Sequence, residues 1–283
     1  VDLNRLEVQK LIEAGLQEDV GAGDLTTNSI VPAEAVTKGY IVARESGVVA
    51  GLPLAEAVFR RLDPAVEFKT LARDGDRVDK NQVLAEICGS ARAILTGERL
   101  ALNFLQRLSG IATRTAGLAG LIAGGKSRIV DTRKTSPGLR AIEKYAVRAG
   151  GGCNHRFGLY DAVLIKDNHI KIAGGIKAAV EAARRGIPHV TRIEVEVEDL
   201  AGVREALEAG ADIIMLDNMH PAVMKKAVAI VAGRALTEAS GGVNERNIKE
   251  IAAAGVDFIS VGALTHSVEA LDISLDVKEI KIR

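Results

Sequence analysis

Aromatic side chains are scarce in this chain. It has no Trp, three Tyr and five Phe among 283 residues. Base-stacking platforms are built from such rings, so a single-strand nucleic-acid surface is excluded. A basic excess is missing too. Lys and Arg number 37 against 37 Asp and Glu, whereas a nucleic-acid footprint shows as net positive charge. The two cysteines, Cys88 and Cys153, lie far apart and give no metal-ligand spacing. They fit a reducing, cytoplasmic setting. No window holds the roughly 18 uninterrupted apolar residues of a membrane span; the most apolar region, Ile251 to Leu264, is broken by Asp257. Residues 1–10, VDLNRLEVQK, lack the apolar core of a signal peptide. What remains is the composition of a soluble globular protein, 47% hydrophobic, long enough for one large domain or two smaller ones.

Periodicity splits the chain into two grammars. From about Asn4 to Gln17, Leu6, Leu11, Ile12 and Leu16 share one side at helical spacing. GAGDLTTN (Gly21 to Asn28) reads as a loop. Thr37 to Ala43 and Val48 to Ala50 read as strands meeting around Ser46-Gly47, and a short helix follows Pro53. Val66 to Leu71 and Gln82 to Ile87 are strand-like, separated by the turn-rich ARDGDRVDKN. This is a mixed α+β sandwich domain rather than alternating βα units. Ala91 to about Ala123 is helical, with Gly110 and Gly117 as expected bends. The expected first domain is residues 1–114, with a tail, 268–283, whose alternating Leu271, Ile273, Leu275, Val277 and Ile280 suit a strand packing back onto it.

Residues 115–267 obey the second grammar. Short aliphatic runs recur at Arg128–Val130, Ala162–Ile165, Arg192–Val197, Asp212–Leu216, Ala235–Thr237 and Phe258–Val261. Helical segments alternate with most of them: Ile176–Arg185, Leu200–Ala209, Ala222–Val231 and Asn244–Ala254. Strand–helix repetition implies a parallel sheet, and six buried-type strands suggest an open α/β, TIM-like barrel. A doubly wound open sheet is the competing architecture; no GxGxxG follows a strand, which counts against its dinucleotide-binding form.

Barrel chemistry sits at the carboxyl ends of strands. Here each end is polar: Asp131-Thr132-Arg133-Lys134, Lys166-Asp167-Asn168-His169, Asp217-Asn218, Glu238-Ala239-Ser240-Gly241-Gly242, and Gly262 before Thr265-His266. Glu194, Glu196 and Glu198 alternate, so they share a face of the third strand. Buried carboxylates need cationic or metal partners. The stretch Asp131 to His169 concentrates cations in a neutral chain: Arg133, Lys134, Arg140, Lys144, Arg148, Arg156 and Lys166, with His155, His169 and the run Gly150 to Gly152. Arg140, Lys144 and Arg148 have the spacing of a helix face and read as scaffold or surface. Cys153 has no base at nucleophile geometry and reads as a small filler. His169 and His266 fit either structural or functional roles. SGG before a helix, and VGA after the last strand, are suited to grip a phosphate.

TRKTSPGLRAIEKYAVRAGGGCNHRFGLYDAVLIKDNH resembles the signature of the quinolinate phosphoribosyltransferases. The resemblance extends to GERLALNFLQRLSGIAT, EVEVE, MLDN, EASGG and SVGALTHS, in order, across nearly the whole chain. It implies an enzyme that joins quinolinate and 5-phosphoribosyl 1-pyrophosphate to make nicotinate mononucleotide, pyrophosphate and carbon dioxide, with Mg²⁺. It also implies a homodimer, or an assembly of dimers, in which one subunit's first domain caps the other's barrel. By the same resemblance Arg133, His155, Arg156 and Lys166 bind the quinolinate carboxylates, with Arg99 lent across the interface. Lys134, Glu196 and Asp217 serve phosphoribosyl pyrophosphate, the latter two holding metal, and Ser240, Gly241 and Gly262 contact the ribose 5-phosphate. Two readings compete. Lys134 and Lys166 at strand ends suit a Schiff-base lyase of aldolase type, and a non-catalytic relative binding a phosphosugar or oxyanion is the other.

Overall fold

The structure, a computed structural model, describes residues 5–282 and, of residues 279–282, the backbone alone. In chain order the elements are α1 (Leu6–Val20), α2 (Leu25–Ile30), β1 (Ala35–Ala43), β2 (Gly47–Val48), α3 (Leu52–Leu62), β3 (Glu67–Thr70), β4 (Arg77–Val78), β5 (Val83–Ser90) and α4 (Ala91–Leu121). They continue with β6 (Arg128–Val130), α5 (Arg140–Ala149), β7 (Val163–Ile165), α6 (Asp167–Ala173), α7 (Ile176–Gly186), β8 (Ile193–Val197) and α8 (Leu200–Glu208). Last come β9 (Ile213–Asp217), α9 (Pro221–Val231), β10 (Leu236–Ser240), α10 (Ile248–Ala253), β11 (Phe258–Ser260), α11 (Ala263–His266) and β12 (Ile273–Ile282). Two compact units result. One comprises the chain to Ala116, Thr135–Gly151 and everything from Thr265; the other comprises Gly117–Lys134 and Gly152–Leu264.

In the first unit an antiparallel sheet runs β12-β1-β5-β3. Along β1 the buried residues Ala35, Thr37 and Ile41 alternate with half-buried ones, the period of a strand with one face on a core. That core is filled by α3, whose Leu52, Leu54, Ala55, Val58 and Phe59 are all buried; Phe59 stacks on Phe68 of β3 at 6.2 Å between centroids. Asp74 caps α3, accepting the Gly51 and Leu52 N–H groups at 2.8 and 3.0 Å. The alternating tail forms β12 and pairs along β1 from Ala43↔Ile273 to Ala35↔Ile282; the Ile280 side chain lies outside the described residues.

Several sequence expectations need correcting here. β1 and β2 do not meet as a hairpin; β2 pairs with β4, which sits inside the stretch read as a turn. GAGDLTTN is a loop only as far as Asp24, whose carboxylate accepts from Thr27 N–H at 2.9 Å and so starts α2. The first helix begins at Leu6, and Asn4 lies outside the described residues. α4 continues through Gly110 and Gly117 for 31 residues. Gly110 is a site of close approach instead, since a Cβ there would collide with the carbonyl of Glu269. Lys144, read as helix-face scaffold or surface, takes the scaffold role: it is fully buried on α5 beside buried Glu143.

The second unit holds one parallel sheet ordered β6-β11-β10-β9-β8-β7. The first two strands in sequence are thus its two edges. Cys153 bridges to Val130 beside the β6 edge. Strands two apart in a flat sheet would lie about 9–10 Å from each other. Yet oxygens of Glu194 on β8 and Glu238 on β10 come within 4.8 Å of each other and of a His155 ring nitrogen. The sheet is therefore curled around its inward side chains as an open barrel. Its wall is aliphatic: Ile193, Val195, Ile214, Leu216 and Ile259 are all buried, the pattern of strands covered on both faces. Helices α7, α8 and α9 follow or separate these strands, each with a buried apolar stripe such as Ile176, Ala179 and Val180.

Candidate active site

At the carboxyl end of the barrel the chain turns polar. Arg133 and Lys134 follow β6, both exposed, and the Lys134 N–H donates to Thr132 Oγ1 at 3.0 Å. Lys166 follows β7. Its ammonium contacts Glu196 Oε2 on β8 at 3.1 Å, joining two neighbouring strands. The main-chain N–H of Lys166 donates to His169 Nδ1 at 3.0 Å, so His169 is a cap of α6, a helix that DNHIKIA had not suggested. Asp217 ends β9, and Asn218 Nδ2 donates to its Oδ2 at 2.7 Å. Asn218 takes a left-handed φ of 52°, and its N–H donates to Ser240 O at 2.8 Å, tying the ends of β9 and β10. Gly241 and Gly242 also have positive φ, 97° and 61°. The helix expected from Asn244 begins only at Ile248. Gly262 follows β11.

One layer deeper lies a second group. Asp131, fully buried, accepts His155 N–H at 2.9 Å and Asn154 Nδ2 at 2.5 Å. Those bonds hold the segment after Cys153 in the gap between the sheet edges. The His155 ring then points inward: Nε2 lies 2.9 Å from Glu194 Oε2 and 3.6 Å from Glu238 Oε1, while Nδ1 accepts the Arg156 N–H at 2.7 Å. Both glutamates are buried, and Oε1 of each has no hydrogen-bond partner. Glu238 was read as a strand end; it is the third of five residues in β10. A cavity of about 370 Å³ opens beside the group, lined by His155, Arg156, Glu194 and Glu238 and by first residues of strands, Val163, Ile213 and Phe258.

Burial, then the negative charge of Glu194, pushes the Glu238 carboxyl up to about 8. Burial and the neighbouring carboxylate thus favour the neutral form of Glu238. Its folded pKa exceeds the ordinary 4.5, so the stability it contributes is fully present below about 4.5 and is lost as pH rises towards about 8. Glu238→Gln mimics the neutral acid. Thermal unfolding should show this variant gaining on the natural chain at pH 8 relative to pH 5; equal differences at both pH values would refute the assignment.

Arg156 is shifted down, first by burial and second by the Arg133 guanidinium. The positive charge of Arg133 thus acts on Arg156. Arg156 Nη1 donates to Ala162 O at 2.9 Å. So the structure gathers Arg133, His155, Arg156, Lys134, Lys166, Glu196, Asp217, Ser240, Gly241 and Gly262 in one unit. Arg99 lies exposed on α4 in the other. Asp131, Asn154, Glu194 and Glu238 were not singled out as site residues; the alternation of EVEVE was the signal for Glu194.

Comparison with known proteins fits this constellation. Residues 24–109 match the quinolinate phosphoribosyl transferase N-terminal domain, and residues 111–276 match its C-terminal domain. The chain belongs to the quinolinate phosphoribosyltransferase family. A probable nicotinate-nucleotide pyrophosphorylase [carboxylating] of Bacillus subtilis is 46% identical over 97% of this chain and 95% of its own length. One from Synechocystis is 45% identical over 94% and 91%. The crystal structure of NadC from Streptococcus pyogenes superposes with a TM-score of 0.95 at 43% identity, covering 100% of this chain and 99% of that one. Membership agrees with the barrel order and with the cation-rich carboxyl end.

Proposed function

We propose that this site transfers a phosphoribosyl group from 5-phosphoribosyl 1-pyrophosphate to quinolinate with loss of carbon dioxide, supplying nicotinate mononucleotide to NAD biosynthesis. The observation that carries the reading is the gathering of Arg133, Lys134 and Lys166 at the carboxyl ends of the strands in the same unit as Arg156, on which the charge of Arg133 acts. A cluster of cations is offset by a ligand with two carboxylates, to which each guanidinium can present a planar fork. Quinolinate has two carboxylates on neighbouring ring carbons.

The chemistry asks little of the protein beyond placement and charge. Arg133, Arg156 and Lys166 fix the pyridine ring, and Lys134 faces the pyrophosphate. Ser240, Gly241 and Gly262 hold the ribose 5-phosphate through groups at strand ends. As pyrophosphate leaves, positive charge grows on the ribose, and the carboxylates of Glu196 and Asp217 stabilise it. Attack by the ring nitrogen leaves a pyridinium, whose positive charge stabilises the electron pair left on the adjacent ring carbon when its carboxylate departs as carbon dioxide; a proton from solvent then forms the new C–H bond.

Glu196 and Asp217 also suit Mg²⁺. They lie on adjacent strands, β8 and β9, with Val197 paired to Leu216, and two carboxylates with substrate oxygens make the hard oxygen set this ion favours. When bound, Mg²⁺ supplies neutralisation of the pyrophosphate. A homodimer, or an assembly of dimers, in which Arg99 on α4 serves a partner copy, completes the proposal. Two free thiols favour a cytoplasmic setting. Among the described residues no helix is long and apolar enough to cross a membrane.

A Schiff-base lyase is disfavoured because Lys166 is exposed and paired with Glu196, the reverse of the desolvated setting an amine nucleophile needs. A binder without catalysis would have no need of both a dicarboxylate clamp and paired acids. The decisive assay supplies quinolinate, phosphoribosyl pyrophosphate and Mg²⁺ and measures carbon dioxide and nicotinate mononucleotide; no product across pH and temperature refutes the reading. Arg133→Ala should raise the quinolinate KM about 10- to 100-fold, the worth of a charged hydrogen bond, with a much smaller change for phosphoribosyl pyrophosphate. Equal losses for both substrates would contradict this division of roles.

A further inference from the structure

His155, Glu194 and Glu238 place three potential ligand atoms within 4.8 Å, which is the geometry of a metal site. The hydrogen bonds argue against that use. Nδ1 of His155 accepts the Arg156 N–H at 2.7 Å, so Nδ1 carries a lone pair and the ring proton resides on Nε2. A metal at Nε2 would force the proton onto Nδ1, setting two donors against each other. The Nε2–H instead points to Glu194 Oε2 at 2.9 Å. The imidazole is thereby neutral, in one tautomer, and gripped at both nitrogens.

We propose that Glu194 is a positioning residue for the phosphoribosyl transfer: through the Nε2–H of His155 it fixes the tautomer whose Nδ1 holds the Arg156 main chain, and so sets the Arg156 guanidinium for the substrate carboxylate. This rests on the reading of the site given above.

Three observations support the relay. Each link is a short, directional contact, and a second anchor, Asp131, accepts the His155 N–H from the other side. Glu194 is buried to 4% exposure. A carboxylate costs free energy there unless it holds a donor, and His155 is that donor. Glu238 sits next to Glu194, and burial raises its carboxyl above the ordinary range, which favours the neutral form and lessens competition for the imidazole. A dicarboxylate would also be repelled by Glu194 if it entered the deep cavity. Quinolinate therefore belongs at the strand ends above, with Arg156 between the two levels.

The test has two readouts. The first is ¹⁵N NMR of the intact protein labelled at its five histidines, with His155→Gln used for assignment. His155 should show a single neutral form protonated at Nε2, and Glu194→Leu should yield a mixture of tautomers. The second is steady-state kinetics. Glu194→Leu should raise the quinolinate KM by roughly tenfold or more, the usual scale for loss of an orienting partner. The phosphoribosyl pyrophosphate KM should move far less. Glu194→Gln, whose amide oxygen still accepts the Nε2–H, should restore the quinolinate KM to within about threefold of the natural value. An Nδ1–H tautomer in the natural protein, or equal kinetic defects in the Leu and Gln variants, overturns the proposal. If Glu194→Leu does not fold, the natural tautomer and the Gln variant decide it alone. Absence of turnover in the natural protein would refute the functional reading while leaving the tautomer measurement standing, so the two failures are told apart.

Discussion

Arg107→Leu should lose about 3–5 kcal/mol of stability, the cost of stranding one partner of a buried ion pair. Arg107 lies on α4, and its Nε and Nη2 donate to Glu143 Oε1 on α5 at 2.9 and 2.6 Å. Nη2 also donates to Ser136 Oγ at 2.7 Å, and the Ser136 N–H donates to Glu143 Oε2 at 3.2 Å. The Glu143 side chain is fully buried while that of Arg107 is 31% exposed. Removing the guanidinium thus leaves a carboxylate with no access to water. Urea unfolding checks this, and a double variant sharpens it. Arg107→Leu with Glu143→Leu should recover most of the loss, because apolar replacement of both partners removes the stranded charge. A single variant as stable as the natural chain would show that water reaches Glu143 after all. The pair ties Thr135–Gly151 to the helix of the first unit, so the same loss should appear as faster proteolysis of the loop after Lys134.

Arg107 and Glu143 also mark where the sequence stopped being readable. The six barrel strands were legible because β-branched runs between Gly, Pro and polar punctuation have few other uses. Their carboxyl-end residues followed, since Lys134, Lys166, Asp217 and Ser240 sit where a chain leaves a buried wall. Both signals are local. A buried Glu143 depends on an arginine 36 residues away, and no spacing on α5 announces it. Its neighbour Lys144 stays undecided in the sequence between scaffold and surface for the same reason: i,i+4 spacing with Arg140 and Arg148 marks a helix face, and only something distant decides whether that face is covered. β4, two residues long, is too short to show any period. Glu238 reads as a strand end because Ala-Ser-Gly-Gly follows it. Only the curl of the sheet reveals that it faces Glu194, and a raised pKa of this kind is made by such packing.

Gly241→Ala should cut kcat/KM for phosphoribosyl pyrophosphate by roughly 100-fold, the scale at which small misplacements in a site are felt. Two effects combine. At a φ of 97° an L-residue is strained, because its Cβ meets the neighbouring carbonyl. The added Cβ would also collide with Asn218 Oδ1 and lie 2.6 Å from Asn218 Cγ and 3.1 Å from Asn218 N. Asn218 cannot move freely: its own φ is 52°, its N–H is held by Ser240 O at 2.8 Å, and its Nδ2 donates to Asp217 Oδ2 at 2.7 Å. The displacement would therefore pass in one step from the phosphate loop to the acid placed beside the ribose. That coupling predicts a drop in kcat together with a rise in the phosphoribosyl pyrophosphate KM, while quinolinate binding to Arg133 and Arg156 is spared. Asn218→Gly added to Gly241→Ala clears the side-chain collision and suits position 218's left-handed φ, yet it removes the hydrogen bond to Asp217. It should restore the KM more than kcat. Recovery of both parameters would place the damage in the steric clash alone, and preserved activity in Gly241→Ala itself would take the loop out of the phosphate site.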